Sequence, residues 1–288
     1  MKKILIPVDF SEHTDITCTY ALRLAEKYHS ELMLFHTYFD QVILTETTFP
    51  DSMNMNAVYN EELIREMHNQ AEANMKKLHG ELVARIEQEK IKHVELKSTV
   101  VGGDIEMELK MVCGEYHPDM VVMGTRGQGR NVNVWGRVST YIINHARVPV
   151  LTVPEIQTFM GFKNVMFAAD LSDANASAIQ KVLDLLEPFR SSLFVVHFQT
   201  GKEGDNEKME ALKTHFSDLE QKRKIRFNLV GIADDNQKAL DDFVAEHGIE
   251  IIAFQPHRRS IFYNLFTRNI TKKNLFSTNI PLLAIPLD

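Results

Sequence analysis

Short apolar runs alternate with longer amphipathic stretches along the chain. Lys3 to Val8, KILIPV, is an apolar run bounded by Asp9 and Ser11, with the length and branching of a strand buried on both faces. Ser11 is the expected N-cap of a helix from Glu12 to His29, in which Ile16, Tyr20, Ala21, Leu24 and Ala25 share one face. Glu31 to Thr37, ELMLFHT, reads as a second strand. Strand, helix and strand with short connections form a βαβ unit, which implies a right-handed crossover and a parallel sheet. Asp40 to Tyr59 has no periodicity; Pro50, Asp51, Ser52 and paired Met-Asn predict a long loop or flap. A charged helix follows from about Glu61 to Gln88, then a third strand from Val94 to Val101. Gly102-Gly103 turns into a helix from Asp104 to Glu115, which His117-Pro118 stops. Met120 to Met123 is a fourth strand. After a glycine-rich loop come a helix, Val138 to Ala146, and a fifth strand, Val148 to Val153, closed by Pro154.

The pattern then repeats. KKILIPVDFSE at Lys2 to Glu12 matches KNVMFAADLSD at Lys163 to Asp173. Asp9 aligns with Asp170, Ser11 with Ser172 and His36 with His197, at one constant offset and without a gap. HPDMVVMG aligns with GIEIIAFQ, so Gly124 matches Gln255; VPVLTVP at Val148 to Pro154 aligns with IPLLAIP at Ile280 to Pro286. A repeat this long is a duplicated domain rather than a solenoid unit. The expected domains are residues 1–154 and 162–288, joined by PEIQTFMG at Pro154 to Gly161. The fold class is α/β: two tandem doubly wound domains with helices on both faces of each sheet.

Composition narrows the function. A hydrophobic fraction of 44% in 288 residues suits two well-packed cores. A net charge of -7 argues against a general nucleic-acid binder. Cys18 and Cys113 stand far apart with no CxxC pair, which fits buried apolar roles in a reducing compartment. The first apolar run stops at Pro7 and Asp9, too early for a secretory signal, and no stretch approaches a membrane span. A soluble, cytoplasmic protein without a membrane partner is expected.

The candidate chemistry sits at strand ends. In a doubly wound sheet ligands bind at the carboxyl ends of strands, where the winding reverses. With strand order 3-2-1-4-5 the reversal lies between strands 1 and 4. The loops that meet there are Asp9-Phe10-Ser11 and the segment with Gly124, Gly127, Gly129 and Gly136. Glycines let backbone N–H groups approach an anion, and the helix that follows points its positive end at it. Each feature has a plainer reading. Asp9 can cap a helix, the glycines can serve turn geometry, and Arg126 and Arg130 can be surface charges or bidentate phosphate ligands. Trp135 fits a place under the loop or at an interface. His36 and His197 read as packed histidines at the ends of second strands. The GxGxxG and GxxxxGK[ST] patterns, metal-spaced His-Glu clusters and Ser-His-Asp or Cys-His sets are absent from the sequence. The second half offers Gln255-Pro-His-Arg-Arg where the first has Gly124-Thr-Arg-Gly, with no glycine before Pro281, and Asp234-Asp235-Asn236 in place of Gly102-Gly103-Asp104. It has lost the phosphate loop, or binds something else through Arg258, Arg259 and Arg268.

Taken together, ILIPVDFSE, LMLFHT, DMVVMGTRG and GRVSTYIINHARVPVLTVP resemble the universal stress protein family, as a tandem of two such domains. The resemblance implies a five-stranded parallel sheet of order 3-2-1-4-5 in each domain. It implies a pseudo-dimer of the two halves, with homo-oligomers possible, since members dimerise through the last strand. Some members bind ATP. Those carry G-x2-G-x9-G-[ST] after strand 4. Here Gly124-Thr-Arg-Gly127 matches the opening, but eight residues stand before Gly136 and Arg137 replaces the hydroxyl residue. The implied contacts are Pro7, Val8 and Asp9 for base and ribose, Thr37 near the base, and Met123 and Gly124 beside the ribose. Arg126, Gly127, Gly136, Arg137 and Val138 would take the phosphates, with Mg2+. The second half has Arg268-Asn269 where the family loop closes with Gly-Ser, and so resembles a degenerate copy. The expectation is a stress-response protein binding an adenine nucleotide, with at most weak ATP hydrolysis. The alternative is a scaffold of the same fold acting through protein contacts.

Overall fold

The structure, a computed structural model, describes residues 1–38, 52–125, 137–155, 158–199, 204–222, 224–231, 236–256 and 280–286. The first half runs β1 (Lys3–Pro7), α1 (Thr14–Tyr28), β2 (Glu31–Tyr38), α2 (Ser52–Gln88), β3 (Glu95–Gly102), α3 (Ile105–Tyr116), β4 (Met120–Gly124), α4 (Arg137–His145) and β5 (Val150–Val153). The second half runs β6 (Asn164–Ala168), α5 (Asn175–Leu186), a single 3-10 turn (Glu187–Phe189), β7 (Ser192–Gln199), α6 (Asp205–His215), α7 (Ser217–Gln221), β8 (Ile225–Gly231), α8 (Asn236–His247), β9 (Ile251–Phe254) and β10 (Leu282–Ala284).

The strands form one ten-stranded sheet of order β3-β2-β1-β4-β5-β10-β9-β6-β7-β8. Each half contributes the doubly wound order 3-2-1-4-5, parallel throughout. The halves meet where β5 and β10 pair antiparallel, Leu282 opposite Thr152 and Ala284 opposite Val150. The Thr152 hydroxyl donates to the Leu282 carbonyl at 3.2 Å and so satisfies a buried polar group at this seam.

Burial on both faces explains the apolar runs. Ile4, Leu5 and Ile6 are fully buried, and their side chains alternate between two cores. One core takes Ile4 and Ile6 with Leu24 of α1, Met75 and Leu82 of α2, and Ile179 of α5. The other takes Leu5 with Leu109 of α3, Ile142 and Ile143 of α4, and Leu240 and Phe243 of α8. The first core crosses the seam between the halves. There Phe159 of the linker and Phe162 just after it pack on Tyr20 at 4.7 and 5.8 Å between ring centroids, and the Tyr28 hydroxyl donates to the Leu185 carbonyl.

Two expectations need correction. Residues 52–59, expected in a loop, belong to α2, which runs 37 residues from Ser52. Met-Asn pairs are poor periodicity signals, yet neither residue breaks a helix. Ser11 is not the N-cap of α1. His13 holds that position without a side-chain cap bond, and Ser11 contributes only its carbonyl, which accepts the Thr14 N–H at 3.0 Å. By contrast Asp104 caps α3 with its side chain, accepting from the N–H groups of Glu106 and Met107 at 3.0 and 3.2 Å.

Candidate functional site

β1 and β4 are neighbours, with Ile4 opposite Met120 and Leu5 opposite Val121. The helices that follow them lie on opposite faces: α1 joins one core and α4 the other. The chain therefore parts above these two strands, and the crevice opens beside the loop after Pro7 and the end of β4.

Asp9 stands at that edge. Its Oδ1 accepts the Ser11 N–H at 3.1 Å and the Thr14 hydroxyl at 3.4 Å, which folds the loop into an Asx-type turn. Phe10 inside the turn has φ 57°, the left-handed region. Val8 contributes less than the sequence suggests. Its N–H donates to the Phe35 carbonyl at 2.8 Å and its own carbonyl faces Nδ1 of His36 at 2.7 Å, so both backbone groups are engaged by β2. Pro7 has no N–H, and Thr37 lies on β2 one position past His36, its side chain on the opposite face of the sheet. Met123 is buried in the α4 core, and Gly124 ends β4 half-buried.

On the α4 side, the Thr125 N–H donates to the Val153 carbonyl at 2.9 Å, and the buried Ser139 hydroxyl donates to the Thr125 carbonyl at 3.1 Å. These bonds pin the first turn of α4 to the end of β4. Arg137 begins that helix and Val138 packs on the core beneath it. The N–H groups of a helix's first turn point outward and the dipole's positive end lies there, an arrangement that suits an anion. Arg126, Gly127 and Gly136 lie outside the described residues, as do Gly129, Arg130, Trp135, Asp234, Asp235, Arg258, Arg259, Arg268 and Asn269.

The corresponding place in the second half is filled. Gln255 follows β9 at the position of Gly124 and is buried. Its Oε1 accepts from Nδ2 of Asn175 at 3.1 Å, and the same amide reaches Asp170 Oδ1 at 2.8 Å. Oδ1 of Asn175 accepts the Leu171 N–H at 2.9 Å, and Asp170 also accepts the Ser172 N–H at 3.1 Å. Three side chains and two main-chain N–H groups thus form one network, and the Gln255–Asn175 bond carries it across the space between the ends of β6 and β9. Beside them Nδ1 of His197 faces the Ala169 carbonyl at 2.9 Å and Nε2 stands 3.2 Å from Oδ2 of Asp205, with both side chains buried. The Nε2–Oδ2 approach falls within ion-pair reach but off the axis of a good hydrogen bond.

Sequence reasoning did not single out Thr14, Thr125, Ser139 or Asn175. The repeat carried a signal for Asn175, which occupies the position of Thr14. Ser139, in the first turn after the glycines, had no periodic mark. Neither cysteine is an activated nucleophile: burial pushes the Cys18 thiol up to about 12 and raises that of Cys113. Among the described residues no three His, Cys, Asp or Glu are grouped to hold a metal ion, and no helix is long and apolar enough to cross a membrane.

Comparison with known proteins places this architecture. The sequence model of the universal stress protein family matches residues 1–154, over half of the chain, and the chain belongs to that family. A universal stress protein from Archaeoglobus fulgidus aligns at a TM-score of 0.63 and 15% identity, covering 99% of this chain and 98% of its own. A functionally unknown protein from Pseudomonas aeruginosa PAO1 aligns at 0.61 and 11% identity, covering 100% of this chain and 93% of its own. Both alignments extend the fold over the full length, second half included. A family protein from Arabidopsis thaliana with AMP bound aligns at 0.34 and 18% identity, over 54% of this chain and 93% of its own, too distant to place a ligand here. No curated protein matches the sequence significantly.

Proposed function

We propose that the first half binds an adenine nucleotide, ATP with Mg2+ riding on its phosphates, in the crevice between the ends of β1 and β4. The observation that carries this reading is the contrast at one position. The crevice has Gly124, with no side chain, where the second half has the buried Gln255. Beside Gly124 the first turn of α4, held by the Ser139–Thr125 bond, supplies N–H groups for phosphate, and Asp9 supplies a carboxylate for ribose or base. Pro7 and Val8 would lie on the base side with the Thr37 hydroxyl, and Met123 would lie beside the ribose with Gly124. Gly127, Gly136 and Arg137 would complete the phosphate loop. The second half serves as a built-in dimer partner through the β5–β10 pairing, in a cytoplasmic stress-response protein with at most weak hydrolytic activity.

The test is equilibrium binding of labelled ATP to the purified chain, beside Gly127→Val. One saturable site per chain, lost in the variant, is the expected result. Saturable binding that survives the substitution would overturn the site, and no binding at millimolar nucleotide would overturn the reading. A second reading, a scaffold that binds no nucleotide, is favoured by one observation: eight residues rather than nine stand between Gly127 and Gly136, and Arg137 follows.

A further inference from the structure

We propose that His36 is the positioning residue of the nucleotide loop: it fixes Asp9-Phe10-Ser11 in the form that receives the ligand. The proposal rests on the nucleotide reading for its function and on the contacts of the His36 ring for its structure.

Three observations converge on this side chain. Its Nδ1 lies 2.7 Å from the Val8 carbonyl, an acceptor, so Nδ1 carries the proton and donates. A side chain therefore ties down the first carbonyl after β1. Its ring packs on Phe10 at 4.3 Å between centroids, tilted 46°. Phe10 is held at φ 57°, where a residue with a Cβ is disfavoured by about 1 kcal/mol, so the turn needs an external hold.

The second half isolates what that hold is. Leu171, in the place of Phe10, has φ 55°, and the Asn175 amide oxygen takes its N–H. In the first half the place of Asn175 is Thr14, whose hydroxyl instead donates to Asp9. Both turns have the imidazole on the carbonyl; the first-half turn lacks the amide clamp and instead packs Phe10 against the His36 ring. That difference leaves the space in front of Gly124 free of the Asn175–Gln255 bridge while the loop keeps its shape. His197 retains the carbonyl bond, and its other nitrogen lies 3.2 Å from the buried Asp205 carboxylate.

The test uses the full chain with His36→Leu, His36→Asn and His197→Leu. Asparagine can place its Nδ2 near the former Nδ1. Two readouts are taken: ATP affinity, and hydrogen exchange at the Ser11 and Thr14 amides without nucleotide. His36→Leu is expected to speed exchange at both amides and to weaken ATP about tenfold, whereas His36→Asn recovers most of both. His197→Leu should leave both readouts at the wild-type level. The proposal is overturned if His36→Leu leaves the exchange of these amides unchanged, or if asparagine does no better than leucine. A wild-type chain that binds no ATP would remove the nucleotide reading alone, because exchange still reports the hold on the turn.

Discussion

Gly124 and Gln255 occupy the same place in two copies of one fold. Everything beneath them is shared: a parallel strand pair, a histidine bonded to the carbonyl at the end of the first strand, and an aspartate turn with a left-handed residue inside it. What differs is the side chain at the lip. In the second half Gln255, Asn175 and Asp170 satisfy one another and turn a crevice into core. In the first half the residue at the lip, Gly124, has no side chain, and Asp9 bonds to Ser11 and Thr14 of its own turn. On the proposed reading, the sheet offers the same strand-end position in both halves, and a few residues there decide which half receives a ligand.

The strongest way to break the comparison is to carry the plug across. Gly124→Gln with Thr14→Asn rebuilds the amide pair in the first half. ATP affinity should fall at least about a hundredfold, since the side chains occupy the volume the ligand needs. Far-UV circular dichroism should be unchanged. Isothermal titration of the double variant decides it: affinity within a few-fold of wild type would mean that the ligand sits elsewhere.

The reverse exchange affects stability instead. Gln255→Ala removes one of three acceptors around the buried Asn175 amide, which keeps Asp170 and Ser172, so the loss is that of one buried hydrogen bond, about 1 kcal/mol. Chemical denaturation should show that loss. No second nucleotide site should appear, because the second half has no glycine between Gln255 and Pro281 to form a phosphate loop. A stoichiometry of two in Gln255→Ala would show that the plug alone silences the second half.

Much of this was legible in the sequence, and the reasons differ by element. The strands stood out because burial on both faces demands unbroken apolar runs, as in Ile4 to Ile6 and Ile251 to Phe254. The gapless offset between Asp9 and Asp170 marked two related loops. The start of α2 was not legible, because residues 52–59 lack the apolar spacing that Met75, Leu78 and Leu82 show. The plug was half legible. The loss of glycine at Gln255 was plain, but its partner Asn175 lies 80 residues away and meets it only through the sheet. Ser11 misled because a serine before a helix usually caps it, whereas here the Asp9 carboxylate organises the turn one step earlier.

Ser139→Ala sharpens the comparison on the other side of the crevice. It removes a buried hydroxyl and leaves the Thr125 carbonyl without that donor, for a stability loss of about 1 kcal/mol. If the bond also aims the first turn of α4, ATP affinity should fall a few-fold, about 5-fold at most. Unchanged affinity alongside reduced stability would assign Ser139 to packing alone.

The smallest expected effect lies at the opposite end of the strands and also separates the halves. Glu31 at the start of β2 accepts from Nζ of Lys97 at 2.6 Å, and that bond holds its carboxyl below the ordinary value of 4.5. The second half has Ser192 at this position, and in the place of Lys97 it has Arg226, which lies over the Phe194 ring at 5.1 Å. A carboxyl depressed in the folded state stabilises above its unfolded pKa, and the contribution is lost as pH falls through the folded value. The window is therefore the acid side of 4.5. The pair is partly solvated, so salt should weaken it. Denaturation midpoints of wild type and Glu31→Gln should differ slightly at about pH 7 and converge by about pH 3, with the difference reduced in high salt. A gap that stays constant across that range would remove the ion pair as its cause and leave only the change in side-chain packing.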